Sequence, residues 1–170
     1  MTDPIIGGLL NWLHVISAIG WLGAAMIFGM ILSPALPSMN PSARSEFMVK
    51  VVPKYMRYIS MVIVSTLVFG GALALYMAYD GTGFSFSGQW GLSIMSGAGL
   101  ALLVAIIGLG VIIPALRKVV RLTKEMQANP TAPPSPEIGK LMGRVKVWSL
   151  VGMIMLFLVV VFMVSAAWAP

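Results

Sequence analysis

The sequence contains no cysteine and a single histidine, His14. Without cysteine there are no disulfides, no iron–sulfur clusters and no thiolate metal sites. Charge is scarce as well. Only 9% of the residues are charged, against roughly a quarter in a typical soluble domain. Five residues are acidic, and none lies inside an apolar run, so the spans offer no carboxylate for a proton relay or for ion-coupled transport. The one histidine has no acidic neighbour in sequence, so no nucleophile–base pair can be assembled from local motifs. The glycines are scattered and form no phosphate-binding loop.

Apolar residues are what the chain has instead. They make up 59% of its 170 residues, and the mean hydropathy is +0.96. Several runs exceed the ~20 residues needed to cross a bilayer. In lipid a backbone must satisfy its own polar groups, so each run is expected to be helical. The expected fold is all-α: a polytopic membrane protein with four transmembrane helices in one bundle. As a single membrane domain over residues 1–170, it has helices at about 5–36, 56–79, 89–116 and 147–168. The opening "MTDPIIGGLL" lacks a basic n-region and a cleavage site, so the first run reads as a retained helix rather than a signal peptide. No internal repeat stands out.

The eleven basic residues are placed unevenly. Arg44, Lys50, Lys54 and Arg57 belong to the first connection, residues 37–55, and the start of the next helix. Arg117, Lys118, Arg121, Lys124, Lys140, Arg144 and Lys146 belong to the third connection, residues 117–146. By the positive-inside rule these two loops face the cytoplasm and both termini face out. The expected location is the cytoplasmic (inner) membrane. The net charge of +6 then reflects loop topology and anionic headgroups, with no nucleic acid required.

The basic loops carry helix signals of their own. Asn40-Pro41 and Ser135-Pro136 each read as a cap followed by proline at the first helical position. "PALRKVVRLTKEM" extends the third helix, with Arg117, Arg121 and Lys124 on one stripe and a possible kink site at Pro114. "NPTAPPSP" reads as a proline-rich turn and "DGTGFSFSG" as a tight outer turn.

His14 shares a helical face with Ala18, Trp21, Ala25 and Phe28. Small residues beside it, among them Gly20 and Gly23, let a helix or a flat ring come close. Tyrosine and tryptophan mark membrane interfaces. Tyr58 with Tyr79, and Trp148 with Trp168, each bracket about 30 Å of helix. The matching bracket for the first helix starts at Trp12, which puts His14 within about one turn of the outer interface. A span starting at Ile5 puts it ~13 Å deep. Agreement with the other helices favours the shallow register.

"LHVISAIGWLGAAMIF" resembles the first helix of the CopD-like and HemJ-like membrane proteins, in which a histidine is followed seven residues later by tryptophan and then glycine. Here these are His14, Trp21 and Gly23. "KYMRYISMVIVSTLVFGGALALYMAY", with Thr66 and the Gly70-Gly71 pair, resembles their second helix, and the four-helix length and "WAP" ending also fit. The resemblance implies one of two activities: copper uptake, or haem b binding with protoporphyrinogen oxidation. It implies His14 as ligand, with Trp21 and Gly23 as packing positions around the cofactor. In the third helix a basic residue is expected, and this chain has "GLSIMSGAGLALL", with Met95.

Neutral imidazole ligates haem iron, copper or zinc. Thioether sulfur suits Cu(I) and serves as a sixth haem ligand. Of the 14 methionines, Met77, Met95 and Met163 share the outer half with His14 by residue count, so the candidate metal set is His14, Met77, Met95 and Met163. The expected function is binding of haem b or another metalloporphyrin through His14, in electron transfer or porphyrin oxidation. Two alternatives stand beside it. One is a copper-handling protein with a His/Met Cu(I) site. The other is a ligand-free accessory subunit of a larger membrane complex. The bilayer is the expected partner, with a homo-oligomer able to supply a second histidine.

Overall fold

The computed structural model describes residues 3–80, 88–129 and 135–168. The described residues are almost wholly helical and contain no strand. The elements are α1 (Pro4–Met26), α2 (Ser33–Ala35), α3 (Pro41–Lys50), α4 (Val52–Asp80), α5 (Gly88–Ile107), α6 (Ile113–Ala128) and α7 (Pro136–Ala166). They join into four rods long and apolar enough to cross a membrane: Pro4–Ser38, Pro41–Tyr79, Gly88–Ala128 and Pro136–Ala166.

The caps agree with the sequence. The Asp3 carboxylate accepts the Ile5 N–H at 2.9 Å, and the Asn40 side chain accepts the Ala43 N–H at 2.7 Å. Each satisfies a donor that has no partner within its helix. Ser135 departs from this pattern. It precedes α7 with Pro136 behind it, but its hydroxyl makes no capping bond. The connections expected at residues 37–55 and 117–146 are themselves largely helical, because α3, α6 and the first turns of α7 continue the spans beyond their apolar runs. The turn "NPTAPPSP" and the outer turn "DGTGFSFSG" lie mostly outside the described residues.

Two rods widen into π-helical turns, Ile27–Leu32 and Gly108–Ile112. Both stand just ahead of a proline, Pro34 and Pro114. Proline has no N–H to donate, and its ring clashes with the carbonyl four residues back. A wider turn relieves both problems. The Ser33 N–H reaches Phe28 O, and the Ile113 N–H reaches Gly108 O, each five residues back. The chain thus passes Pro114 by local unwinding.

The rods pack as two pairs, α1 against α4 and α5 against α7. The pairs meet mainly toward the end that carries α3 and α6, the basic end. There Trp21, Phe28, Ile59, Ile63, Val104, Leu116 and Leu156 form one core. Phe28 stacks on Tyr55 with ring centroids 4.4 Å apart and planes 14° apart. Toward the opposite end the outward faces are large and apolar, as at Ile16, Ile19, Leu75 and Val161. In water such a surface would be an aggregation hazard; against acyl chains it has no such cost.

Candidate functional site

The site is built from the α1–α4 pairing. The two helices run antiparallel, and contacts along them set the register. Tyr76 Oη donates to Asp3 O at 2.9 Å. Gly7 faces the Tyr76 ring, and Gly20 faces Tyr58 and Val62. Between these contacts, the His14 imidazole lies across α4 at Thr66 and Gly70.

His14 Nδ1 donates to the backbone carbonyl of Thr66 at 2.9 Å. A carbonyl can only accept, so the proton sits on Nδ1. In the neutral ring Nε2 then carries the free lone pair. No described residue hydrogen-bonds Nε2. The ring can sit this close because Gly70 has no side chain. A Cβ at Gly70 would stand 2.7 Å from Cε1 and 2.8 Å from Nδ1 of His14. Thr66 keeps its own hydroxyl occupied, donating to Val62 O at 2.7 Å, as the residue type favours inside a helix.

This register fixes the level of the imidazole along α4. Thr66 is eight residues past Tyr58, and Gly70 is nine before Tyr79. At the helical rise those are about 12 and 14 Å. The imidazole therefore lies opposite the middle of that bracket, and near the middle of α4 as a whole. α1 starts at Pro4 and carries, two residues before His14, Trp12. It is 68% exposed and projects from the side of the bundle close to the level of His14.

The other candidates fall in different places. Trp21, on the same face of α1, is buried in the core at 4% exposure. It lines a small apolar cavity of about 50 Å³ with Ala25, Phe28 and Tyr55. Gly23 has no neighbour that a Cβ would meet within 4 Å, so within this chain it is not a packing contact; Gly7, Gly20 and Gly70 hold that role between α1 and α4. Met163 packs on Gly97, inside the α5–α7 pair. Met95 lies on α5 and is 47% exposed. Met77 is seven residues past Gly70, about 10 Å further along α4. The structure thus joins His14 to α4 and does not gather the three methionines around it. Among the described residues, no group of three His, Cys, Asp or Glu side chains converges on a metal position.

Sequence reasoning singled out Thr66 and Gly70 without pairing them to His14. The available signal was a glycine in the second span at a level where a ring from the first must fit. Without the register, Gly70 and Gly71 are indistinguishable. Gly71 has nothing within 4 Å of its Cβ position. Comparison with protein-family models, curated proteins and solved structures finds no match to this chain, and the chemistry of the site rests on its own geometry.

Proposed function

We propose that this chain is an integral protein of the cytoplasmic membrane, both termini outward, that binds haem b or another metalloporphyrin through Nε2 of His14, in electron transfer or porphyrin oxidation. One observation carries the reading: the 2.9 Å bond from His14 Nδ1 to Thr66 O. Imidazoles that ligate metals almost always donate their second N–H to a carbonyl or carboxylate, which fixes the tautomer and raises the basicity of the ligating nitrogen. A histidine kept only for packing does not need Nε2 left open at the middle of an apolar helix pair, where a polar atom is costly to leave unpaired.

Haem is favoured over bare copper by ligand count. A porphyrin brings four nitrogens of its own, so a single protein imidazole would suffice to hold it. A lone Cu(I) ion needs further soft ligands, and Met77, Met95 and Met163 lie on other levels or in the other helix pair. When bound, the haem supplies a one-electron couple. His14 would hold the iron, while the Thr66 carbonyl orients the imidazole and Gly70 leaves it its place. The apolar surroundings would exclude water from the bound ring. A second copy of the chain, or a partner in a larger complex, would have to supply any further protein ligand. The orientation rests on the eleven basic residues, which all lie toward one end of the bundle.

The test is the absorption spectrum of full-length protein purified in mild detergent from haem-replete cells. A Soret band is expected, and His14→Ala should abolish it while leaving the helical content unchanged. A colourless wild-type protein, or a His14→Ala variant that keeps the band, refutes the assignment. A colourless protein that purifies with other subunits would point to the accessory role.

A further inference from the structure

A cavity of about 520 Å³ lies at the basic end, far from His14, and is lined by α3, α6, the first turns of α7 and the end of the first rod. Its walls have two characters. Leu36, Met48, Val119 and Met142 form an apolar part, and Arg44 and Lys146 add two cations. We infer that this cavity is a binding site for an acidic phospholipid, whose phosphate sits between Arg44 and Lys146 and whose first acyl segment lies along the apolar wall.

The argument begins with charge. The chain has only five acidic residues. Asp3 and Asp80 belong to the opposite end. The other three are already engaged, in the pairs Glu46–Lys50, Glu137–Lys118 and Glu125–Arg121. No carboxylate remains at the basic end to neutralise Arg44 or Lys146, and neither forms an ion pair among the described residues. Both cations line this one cavity, and an anion seated in it would be attracted by both. The second argument is level. Lys146 is two residues from Trp148, the aromatic marker on α7, and Ser33 closes the apolar run of the first rod. The cavity therefore opens at headgroup depth, where an acidic leaflet attracts basic clusters. The third argument is its mixed lining. A soluble phosphate would use the cations and leave the leucine, valine and methionine wall in water. A phospholipid uses both.

The experiment is native mass spectrometry of the full-length protein in detergent, with phosphatidylglycerol and phosphatidylcholine of the same acyl chains as probes. The wild type should retain phosphatidylglycerol preferentially. The preference should fall about fivefold for each of Arg44→Gln and Lys146→Gln. It should stay within about twofold of wild type when the same charge is removed outside the cavity, in each of Arg117→Gln and Lys124→Gln. Gly139→Phe leaves both cations in place. Gly139 lines the cavity, and nothing stands within 4 Å of its Cβ position, so the new ring should occupy the lipid's space and abolish retention. The inference is overturned if either control variant weakens binding as much as Arg44→Gln or Lys146→Gln, if Gly139→Phe binds normally, or if millimolar inorganic phosphate displaces the lipid completely. The last result would reassign the cations to a soluble anion.

Discussion

Replacing Gly70 with alanine tests the seat of the imidazole directly. The added methyl would stand 2.7 Å from Cε1 and 2.8 Å from Nδ1 of His14, well inside contact distance. The ring cannot swing clear without breaking the bond to Thr66 O. Overpacking of this kind costs about 1–3 kcal/mol, and the lost hydrogen bond adds about 1 kcal/mol. Alanine is the better helix former by about 1 kcal/mol, so the expected net loss is about 1–3 kcal/mol. Gly71→Ala is the matched control. Its Cβ meets nothing within 4 Å, and the change should be neutral or slightly stabilising. The assay is unfolding in mixed micelles, followed by tryptophan fluorescence. In the double variant His14→Ala/Gly70→Ala the clash is gone, so the two changes should couple by more than 1 kcal/mol. Equal effects at Gly70 and Gly71, or additive effects of His14→Ala and Gly70→Ala, would show that the ring is not seated there.

Gly97→Ala is expected to be mild, under about 1 kcal/mol by the same assay. The methyl would meet chiefly the terminal Cε of Met163 at 2.9 Å, and a methionine end can move aside. Trp21→Ala should cost about 3–5 kcal/mol, as is usual for a large buried aromatic, whereas Trp12→Ala, at a 68% exposed position, should cost less than about 1 kcal/mol in micelles. Phe28→Ala and Tyr55→Ala should show a coupling of about 0.5–1.5 kcal/mol in a double-mutant cycle, reporting their stacked rings. Because the chain has no cysteine, single cysteines report topology cleanly. An impermeant maleimide should label Asp3→Cys but not Arg121→Cys in intact cells, and the reverse result would invert the proposed orientation.

The sequence by itself determined the class of the fold. Long apolar runs leave a chain in lipid with no stable choice but helices, and four runs mean four rods. It also determined the cap residues Asp3 and Asn40, the grouping of basic residues toward one end, and the shared face of His14, Trp21 and Phe28. All of these are local properties, written in composition or in a 3.6-residue period. Partnership was decided by the tertiary structure. The antiparallel register of α1 on α4 set His14 opposite the middle of α4. It chose Gly70 over Gly71 as the seat and directed Nδ1 to a backbone carbonyl that any residue could have supplied. The tertiary structure also set Met163 against Gly97 in the other helix pair and Met77 about 10 Å along α4 from Gly70. Such choices arise from how side chains on two helices interlock, and nothing within either helix alone carries that information.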